Sequence, residues 1–147
     1  MGVNAAFAGF SMQSGDQIKD QYVFTEYYPG FGFFGGLTAL TTNSMYAVLS
    51  ATGGTHTVTG CPVALPKVVS LNAGWTFLPC PYQTSTALVK AVPDYSYAAG
   101  DQVKSQLYFA EFYSGFGFFG SLASMEPGLG YKVKVSTGGV ATFQMSR

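Results

Sequence analysis

Two stretches of the sequence share one pattern. Residues 15–37 read GDQIKDQYVFTEYYPGFGFFGGL, and residues 100–122 read GDQVKSQLYFAEFYSGFGFFGSL. The second stretch starts 85 residues after the first, and at that offset the match continues through Tyr46 and Tyr131 to Thr-Gly-Gly runs at 52–54 and 137–139. The chain is therefore an internal duplication, so both copies are expected to adopt the same structure.

The segment before the glycine-rich run alternates between apolar and polar side chains in both copies. Its apolar positions are Ile18, Tyr22, Phe24 and Tyr28, and Val103, Leu107, Phe109 and Tyr113. A period of two with aromatic and β-branched residues is typical of a β-strand. We therefore expect one continuous strand per copy, with these residues on its apolar face.

The glycine-rich runs at 30–35 and 115–120 are similar to phosphate-binding loops in glycine spacing. A phosphate loop is followed by a helix whose N-terminal amides hold the phosphate, whereas aromatic residues and a further strand follow here. The runs are therefore predicted to be β-turns with close backbone packing.

These patterns predict an all-β, mainly antiparallel fold with at most a short helix per repeat and a sandwich-like or barrel-like arrangement. The predicted divisions are a first repeat at 1–60, a proline-containing linker at 61–67 and a second repeat at 68–147. Residues 68–78 are predicted to open the second repeat as a strand, and 84–92 to form a short helix that Pro93 ends. The first repeat has no counterpart of the opening strand, so we expect a longer array or a neighbouring chain to supply one.

The composition disfavours several classes of partner. Charged residues make up only 10% of the chain, and seven Lys and Arg balance seven Asp and Glu. A chain with no net charge has no long-range field that would attract nucleic acid or anionic lipid. Gly, Ser, Thr and Gln interrupt every apolar run before it reaches the ~20 residues of a membrane helix, so no membrane span is predicted.

The first copy carries a long uncharged segment. No Asp, Glu, Lys or Arg occurs from residue 27 to residue 66, a run of 40 residues, and Ala47 and Leu49 stand where the second copy has Lys132 and Lys134. An apolar surface of this kind is an aggregation hazard unless another molecule or chain segment covers it. We therefore predict an assembly interface on the first copy. Its residues are Phe31, Phe33, Phe34, Ala47 and Leu49.

This interface favours a structural function. We expect a non-enzymatic protein that self-assembles into a sheet, shell or surface layer. The alternative is a carbohydrate-binding or adhesion module, because aromatic rings on a β-scaffold can stack on sugars, although most aromatic residues of a small β-domain belong to its core. The candidate ligand-stacking residues are Trp75, Tyr82, Tyr108, Phe112 and Tyr113.

No catalytic or metal-binding set of residues emerges from the sequence. His56 is the only histidine, so neither a Ser-His-Asp constellation nor a closed four-ligand zinc site has support from spacing. Turn capping is predicted for Asp16, Asp20 and Asp101. Cys61 and Cys80 either close a disulfide, which would place the protein in an oxidising compartment, or remain reduced. No enzymatic activity and no cofactor are predicted.

The second copy resembles a repeat of secreted and surface proteins of microalgae and some bacteria. That repeat has a GW pair followed by GDxIKSQ, FAxY, GxGWxGSL and PGxGYxxK. This chain has GW at 74–75, GDQVKSQ at 100–106, FAEF at 109–112, GFGFFGSL at 115–122 and PGLGYK at 127–132. The first copy keeps GDQ and GFGFFG but has TNSMY at 42–46 in place of PGxGY. The resemblance implies an extracellular or cell-surface location and no transferable activity.

A second similarity, in organisation, is to the diatom pyrenoid shell proteins, which are built from two related β-rich regions and form protein sheets. This similarity implies self-assembly and, as an alternative location, the plastid.

Overall fold

The computed structural model describes residues 1–145 and divides the chain into two compact units, Met1–Cys61 and a second that begins at Pro62. The predicted linker at 61–67 therefore contains the boundary between the units and the first residue of a strand. Antiparallel strands and one four-residue helix per unit make up their regular structure. This confirms the predicted fold class. The sheets of the described residues do not close into a barrel, and they are compatible with the predicted sandwich-like arrangement.

The first unit is a four-stranded sheet with one helix. Its elements are α1 (Val3–Ala6), β1 (Gln17–Lys19), β2 (Phe24–Tyr28), β3 (Gly32–Gly35) and β4 (Ala47–Leu49). The strand order is β3-β2-β1-β4, and all pairs are antiparallel. Ile18 of β1 and Phe33 of β3 point to the inner side, where they pack with Val3 and Phe7 in one apolar cluster.

The second unit contains the same sheet with added strands. Its elements are β5 (Lys67–Leu71), β6 (Gly74–Leu78), β7 (Thr86–Ala87), α2 (Leu88–Ala91), β8 (Gln102–Lys104), β9 (Phe109–Tyr113), β10 (Gly117–Gly120), β11 (Ser124–Met125), β12 (Tyr131–Val135) and β13 (Gly139–Phe143). The main sheet has the order β10-β9-β8-β12-β6, and β11-β7 and β13-β5 form two further antiparallel pairs.

The duplication extends to strand register. β1 pairs with β4 through Ile18 and Val48, and β8 pairs with β12 through Val103 and Val133, which are the same positions at the 85-residue offset. α1 and α2 also occupy equivalent positions at that offset. As predicted, β12 buries its apolar residues and turns its two lysines outward.

The predicted single strand before each glycine-rich run is wrong, because two strands joined by a tight turn replace it. Asp20 Oδ1 accepts hydrogen bonds from the amides of Tyr22 (2.8 Å) and Val23 (2.9 Å), and this closes the turn between β1 and β2. Ser105 Oγ accepts the amide of Tyr108 (3.1 Å) in the second unit.

This turn decides which aromatic residues are buried. Lys19 pairs with Phe24 and shares its face of the sheet, so the even-numbered residues of β1 and the even-numbered residues of β2 lie on opposite faces. Ile18 is consequently buried, whereas Tyr22, Phe24 and Tyr28 are exposed. Leu107, Phe109 and Tyr113 are exposed in the second unit for the same reason.

Each glycine-rich run opens with the predicted β-turn, but its last four residues form a strand, β3 or β10. In the first unit, Phe31 donates its amide to the Tyr28 carbonyl (3.0 Å) between the paired strands β2 and β3. Gly35 has φ +156, and a Cβ there would lie 2.4 Å from the Phe24 carbonyl oxygen. Gly120 repeats this contact with Phe109 at the same distance.

Residues 67–78 form two strands with a two-residue connection and not one strand. β5 pairs with β13 and β6 pairs with β12, so the two strands belong to two different sheets and do not pair with each other. Asn72 donates its amide to Thr76 Oγ1 (2.8 Å) across the connection. The predicted short helix at 84–92 is limited to Leu88–Ala91, because Val92 is already extended ahead of Pro93.

Candidate functional site

A buried aspartate in each Gly-Asp pair makes equivalent hydrogen bonds in the two units. Asp16 accepts the amides of Gln13 (2.8 Å, at Oδ2) and Ala51 (2.9 Å, at Oδ1). Asp101 accepts the amides of Ala98 (2.8 Å) and Ser136 (3.2 Å) in the same way. Each carboxylate thus joins the turn before β1 or β8 to the residues that follow β4 or β12, which confirms the turn capping predicted for Asp16 and Asp101.

A tyrosine hydroxyl holds the following loop in both units. The Tyr131 hydroxyl accepts the amide of Glu126 (2.7 Å), and the Tyr46 hydroxyl accepts the amide of Thr41 (2.8 Å). The anchor therefore persists in the first unit although its loop lacks the Pro-Gly sequence. These two sets of contacts fix β4 and β12 in equivalent positions on their sheets.

The outer side of the second sheet is covered by alternating lysine and aromatic side chains. Lys104 Nζ lies 4.5 Å from the centroid of the Trp75 ring, and Lys134 Nζ lies 5.9 Å from it. Lys132 Nζ lies 5.0 Å from the Phe77 ring. These are cation–π distances, and they hold the half-buried indole of β6 under two lysine side chains.

The first unit has the same sheet without a counterpart of β6. β12 lies between β8 and β6, whereas β4 has β1 as its neighbour and forms an edge of the described sheet. The outward residues of β4 are Ala47 and Leu49, so no charged side chain protects this edge. An uncharged edge with unpaired backbone groups can accept a further strand.

The inner side of the first unit is also incompletely covered. Val48 is 48% exposed, whereas its counterpart Val133 is 0% exposed and belongs to the core of the second unit. Val58 is 57% exposed, whereas its counterpart Phe143 is 0% exposed and packs against Tyr82. These two positions are thus exposed in the first unit and buried in the second.

The predicted assembly residues fall into two groups. Phe31, Phe34 and Leu49 are exposed and Ala47 is half-buried, so these four lie at the surface. Phe33 instead belongs to the core, where its ring lies 5.9 Å from Phe7 and 5.2 Å from Tyr27. Strand alternation explains the difference, because adjacent residues of β3 point to opposite faces.

The two units expose matching aromatic pairs that the sequence analysis did not identify. Tyr28 and Phe34 lie 6.1 Å apart at 67°, and Tyr113 and Phe119 lie 6.2 Å apart at the same angle. All four rings are exposed on the outer face. The sequence analysis placed these residues on the wrong face because it did not predict the turn after β1.

The predicted ligand-stacking residues are dispersed in the structure. Tyr108 and Tyr113 are exposed, whereas Trp75 is half-covered by lysines. Phe112 packs on the inner side against Phe118 (5.2 Å). Tyr82 is a core residue whose hydroxyl donates to the Ala91 carbonyl (3.1 Å), and burial raises its pKa to about 12. The rings accessible from solvent are therefore those of Tyr108 and Tyr113.

The remaining thiol, imidazole and carboxylate groups considered are those of Cys61, Cys80, His56 and Glu126. Cys61 and Cys80 are free thiols, and partial burial raises the pKa of Cys80. His56 stacks on Phe7 with 4.2 Å between ring centroids. Two short hydrogen bonds from Ser124 and Ser85 (2.6 Å each) lower the pKa of Glu126. Within residues 1–145, no three His, Cys, Asp or Glu side chains are grouped so as to hold a metal ion.

None of the helices in the described part of the chain is long and apolar enough to cross a membrane. Comparison of the chain with protein-family models, with curated proteins and with solved structures gives no match.

Proposed function

We propose that this chain is a non-enzymatic structural protein that self-assembles into a sheet, shell or surface layer through its first unit. The observation that carries the proposal is the exposure of apolar positions in the first unit that the second unit covers, above all Val48 at 48% against Val133 at 0%. Burying a half-exposed valine contributes about 1 kcal/mol, so several such contacts are needed for stable association.

The first unit exposes further apolar side chains. Leu49 is exposed on the outer face of β4, and Phe31 and Phe34 expose two more large apolar side chains at the opposite edge of the sheet, beside and in β3. No charge occurs from residue 27 to residue 66, and the charged residues that pair with this segment across strands are Lys19, opposite Ala47, and Glu26, opposite Phe34. An isologous contact of this kind gives a closed dimer, and a second contact extends it to a layer. The resemblance to repeats of surface proteins supports the same function.

Light scattering over a concentration series, with negative-stain microscopy, tests the proposal. Leu49→Lys restores the residue that the second copy has at Lys134 and is expected to abolish assembly. Val89→Lys adds the same charge at another exposed apolar residue, on α2, and is expected to leave assembly unchanged. A wild-type protein that remains monomeric at high concentration without a partner contradicts the proposal.

The exposed rings of Tyr108 and Tyr113 favour carbohydrate binding as the second candidate function. Glu111 lies between Phe109 and Tyr113 along β9 and shares their outer face, so a hydrogen-bond acceptor stands beside the rings. Aromatic rings with adjacent polar groups are suited to the apolar face and the hydroxyls of a sugar. Saturable binding on a glycan array that Tyr113→Ala abolishes would support this function, and a uniformly negative array would eliminate it.

A further inference from the structure

The zero net charge of the chain conceals a difference between its two units. The first unit contains one lysine and three acidic residues, whereas the second contains five lysines, one arginine and four acidic residues. The formal charges of the two units are therefore −2 and +2, and they cancel only in the total. The second unit can attract an anion at short range although the whole chain has no net charge.

Three of these lysines lie together on the outer face of the main sheet of the second unit. Lys132 of β12 is directly opposite Lys104 of β8, and Lys134 is two residues further along β12 on the same face. Residues directly opposite each other in an antiparallel pair have their Cβ atoms about 5 Å apart, and two like charges in this position are unfavourable. The sheet therefore concentrates positive charge in one small area, at a cost that a bound anion would relieve.

No acidic side chain neutralises these three lysines. Their ammonium groups contact aromatic rings, those of Lys104 and Lys134 at Trp75 and that of Lys132 at Phe77. No carboxylate among residues 1–145 forms an ion pair with them. Glu111 shares their face, opposite Gln102, but is not in direct contact with a lysine. The face thus carries three positive charges and one negative charge.

The remaining acidic residues of the chain are a poor source of the missing anion. Asp16 and Asp101 are buried and accept backbone amides. Asp20 accepts two turn amides, Asp94 accepts a side-chain amide and Glu126 accepts two serine hydroxyls. Only Glu26 remains, and it shares its face with Lys19. A second copy of the chain therefore does not complement the lysines, and the anion has to come from another kind of molecule.

We propose that the outer face of the second unit binds a polysaccharide that carries sulfate or carboxylate groups. Lys104, Lys132 and Lys134 bind its anionic groups. Gln102, opposite Lys134, offers a hydrogen-bonding amide for a hydroxyl, and Phe109, opposite Lys104 and 52% exposed, offers a ring for the apolar face of a sugar. The proposal goes beyond self-assembly, because it concerns a ligand of the second unit and no contact between copies.

An open sheet face is better suited to a charged polymer than to a single small anion. One exposed ion pair contributes little by itself, whereas several pairs to groups on one polymer act together. A nucleic acid fits this face less well. Trp75 and Phe77 are half-buried next to lysine ammonium groups, so they form no platform on which bases stack. The Glu111 carboxylate repels a phosphate backbone but accepts hydrogen bonds from sugar hydroxyls.

The first unit provides an internal comparison, since its sheet has the same register without this group of charges. Lys19 occupies the position of Lys104, but it is opposite Ala47, and Leu49 stands in place of Lys134. One lysine thus remains where the second unit has three. We expect the anionic polymer to bind the second unit and not the first.

Titration of the full chain with dextran sulfate, followed by the fluorescence of Trp75, tests the proposal. Trp75 is the only tryptophan and lies within cation–π distance of Lys104 and Lys134, so its emission reports directly on these two ammonium groups. We expect a saturable change with dextran sulfate or with carboxymethyl dextran, which distinguishes sulfate from carboxylate on the same backbone. Unmodified dextran, and sodium sulfate at the same sulfate concentration, are expected to give no saturable change.

Two double variants separate this face from the general charge of the unit. Lys104→Gln combined with Lys132→Gln is expected to weaken binding about ten-fold, because each exposed ion pair lost costs about two- to five-fold. Lys67→Gln combined with Lys90→Gln removes the same charge from β5 and α2 of the same unit and is expected to leave the affinity within about two-fold of wild type. Binding by the wild-type chain is also expected to weaken as sodium chloride is added, a measurement that does not depend on the folding of any variant.

Each outcome decides for or against the proposal. No saturable response to either charged polymer, equal affinities of the two double variants, or binding that is insensitive to salt overturns it. Tighter binding of a single-stranded oligonucleotide than of either polymer, or an equal response to sodium sulfate, overturns the assignment to a polysaccharide. All four substitutions lie in the second unit, so a failure here leaves assembly through the first unit standing. Leu49→Lys tests that assembly and is expected to leave polymer binding unchanged.

Discussion

The buried aspartate of the second unit provides a quantitative test of how this fold is held together. Asp101 is 5% exposed and accepts two backbone amides, from Ala98 (2.8 Å) and Ser136 (3.2 Å). Asp101→Ala removes the buried, charged acceptor of both amides, and each hydrogen bond lost to a charged group costs about 1–3 kcal/mol. The expected loss of unfolding free energy is therefore about 2–6 kcal/mol, and with a typical m-value it lowers the urea midpoint by about 1–3 M.

Urea unfolding followed by tryptophan fluorescence measures this loss where it occurs. Trp75 is the only tryptophan of the chain and lies in β6 of the second unit. Ser105→Ala is the control, because Ser105 Oγ also accepts two turn amides but does so in contact with water. Its expected cost is below about 1 kcal/mol. If Asp101→Ala shifts the midpoint no more than Ser105→Ala, the buried carboxylate contributes no more to the stability of the unit than an exposed hydroxyl does.

Two further predictions concern a close backbone contact and a carboxylate. Gly120→Ala is expected to lower the free energy of unfolding by at least about 2 kcal/mol more than Gly115→Ala does. The reason is that a Cβ at Gly120 would lie 2.4 Å from the Phe109 carbonyl oxygen, whereas a Cβ at Gly115 would have open space. Equal urea midpoints of the two variants would show that the strands separate easily. Two serine hydroxyls lower the pKa of Glu126, so its contribution to stability is present above the ordinary glutamate pKa and is lost as pH falls through the lowered folded-state pKa. The difference in urea midpoint between wild type and Glu126→Gln should therefore shrink from neutral to acidic pH, and a constant difference contradicts this prediction.

The duplication and the residues that hold it together were predictable from the sequence. The 85-residue offset aligned Asp16 with Asp101 and Tyr46 with Tyr131, and the structure gives each pair equivalent hydrogen bonds. These contacts are local or depend on an acceptor type that turns favour, so the same short sequence produces them in both units. The short strands, the glycine turns and the outward lysines of β12 follow from equally local patterns.

The faces of the strands were not predictable from alternation alone. Period two places Ile18 and Phe24 together, but the turn closed by Asp20 separates them onto opposite faces. A similar error merged β5 and β6 into one strand, because the connection between them contains only two residues. The candidate surface included Phe33, which strand alternation in β3 buries, and omitted Tyr28 and Phe24, which are exposed.

The sequence by itself determined that the chain is a β-rich duplication whose first copy carries an uncharged segment of 40 residues. Tertiary structure decided which of the equivalent residues are buried, since Val48 and Val133 occupy the same strand position, yet Val48 is exposed and Val133 lies in an apolar core. The physical reason is that composition and local spacing specify which backbone conformation each segment prefers, whereas burial depends on contacts between residues far apart in the chain.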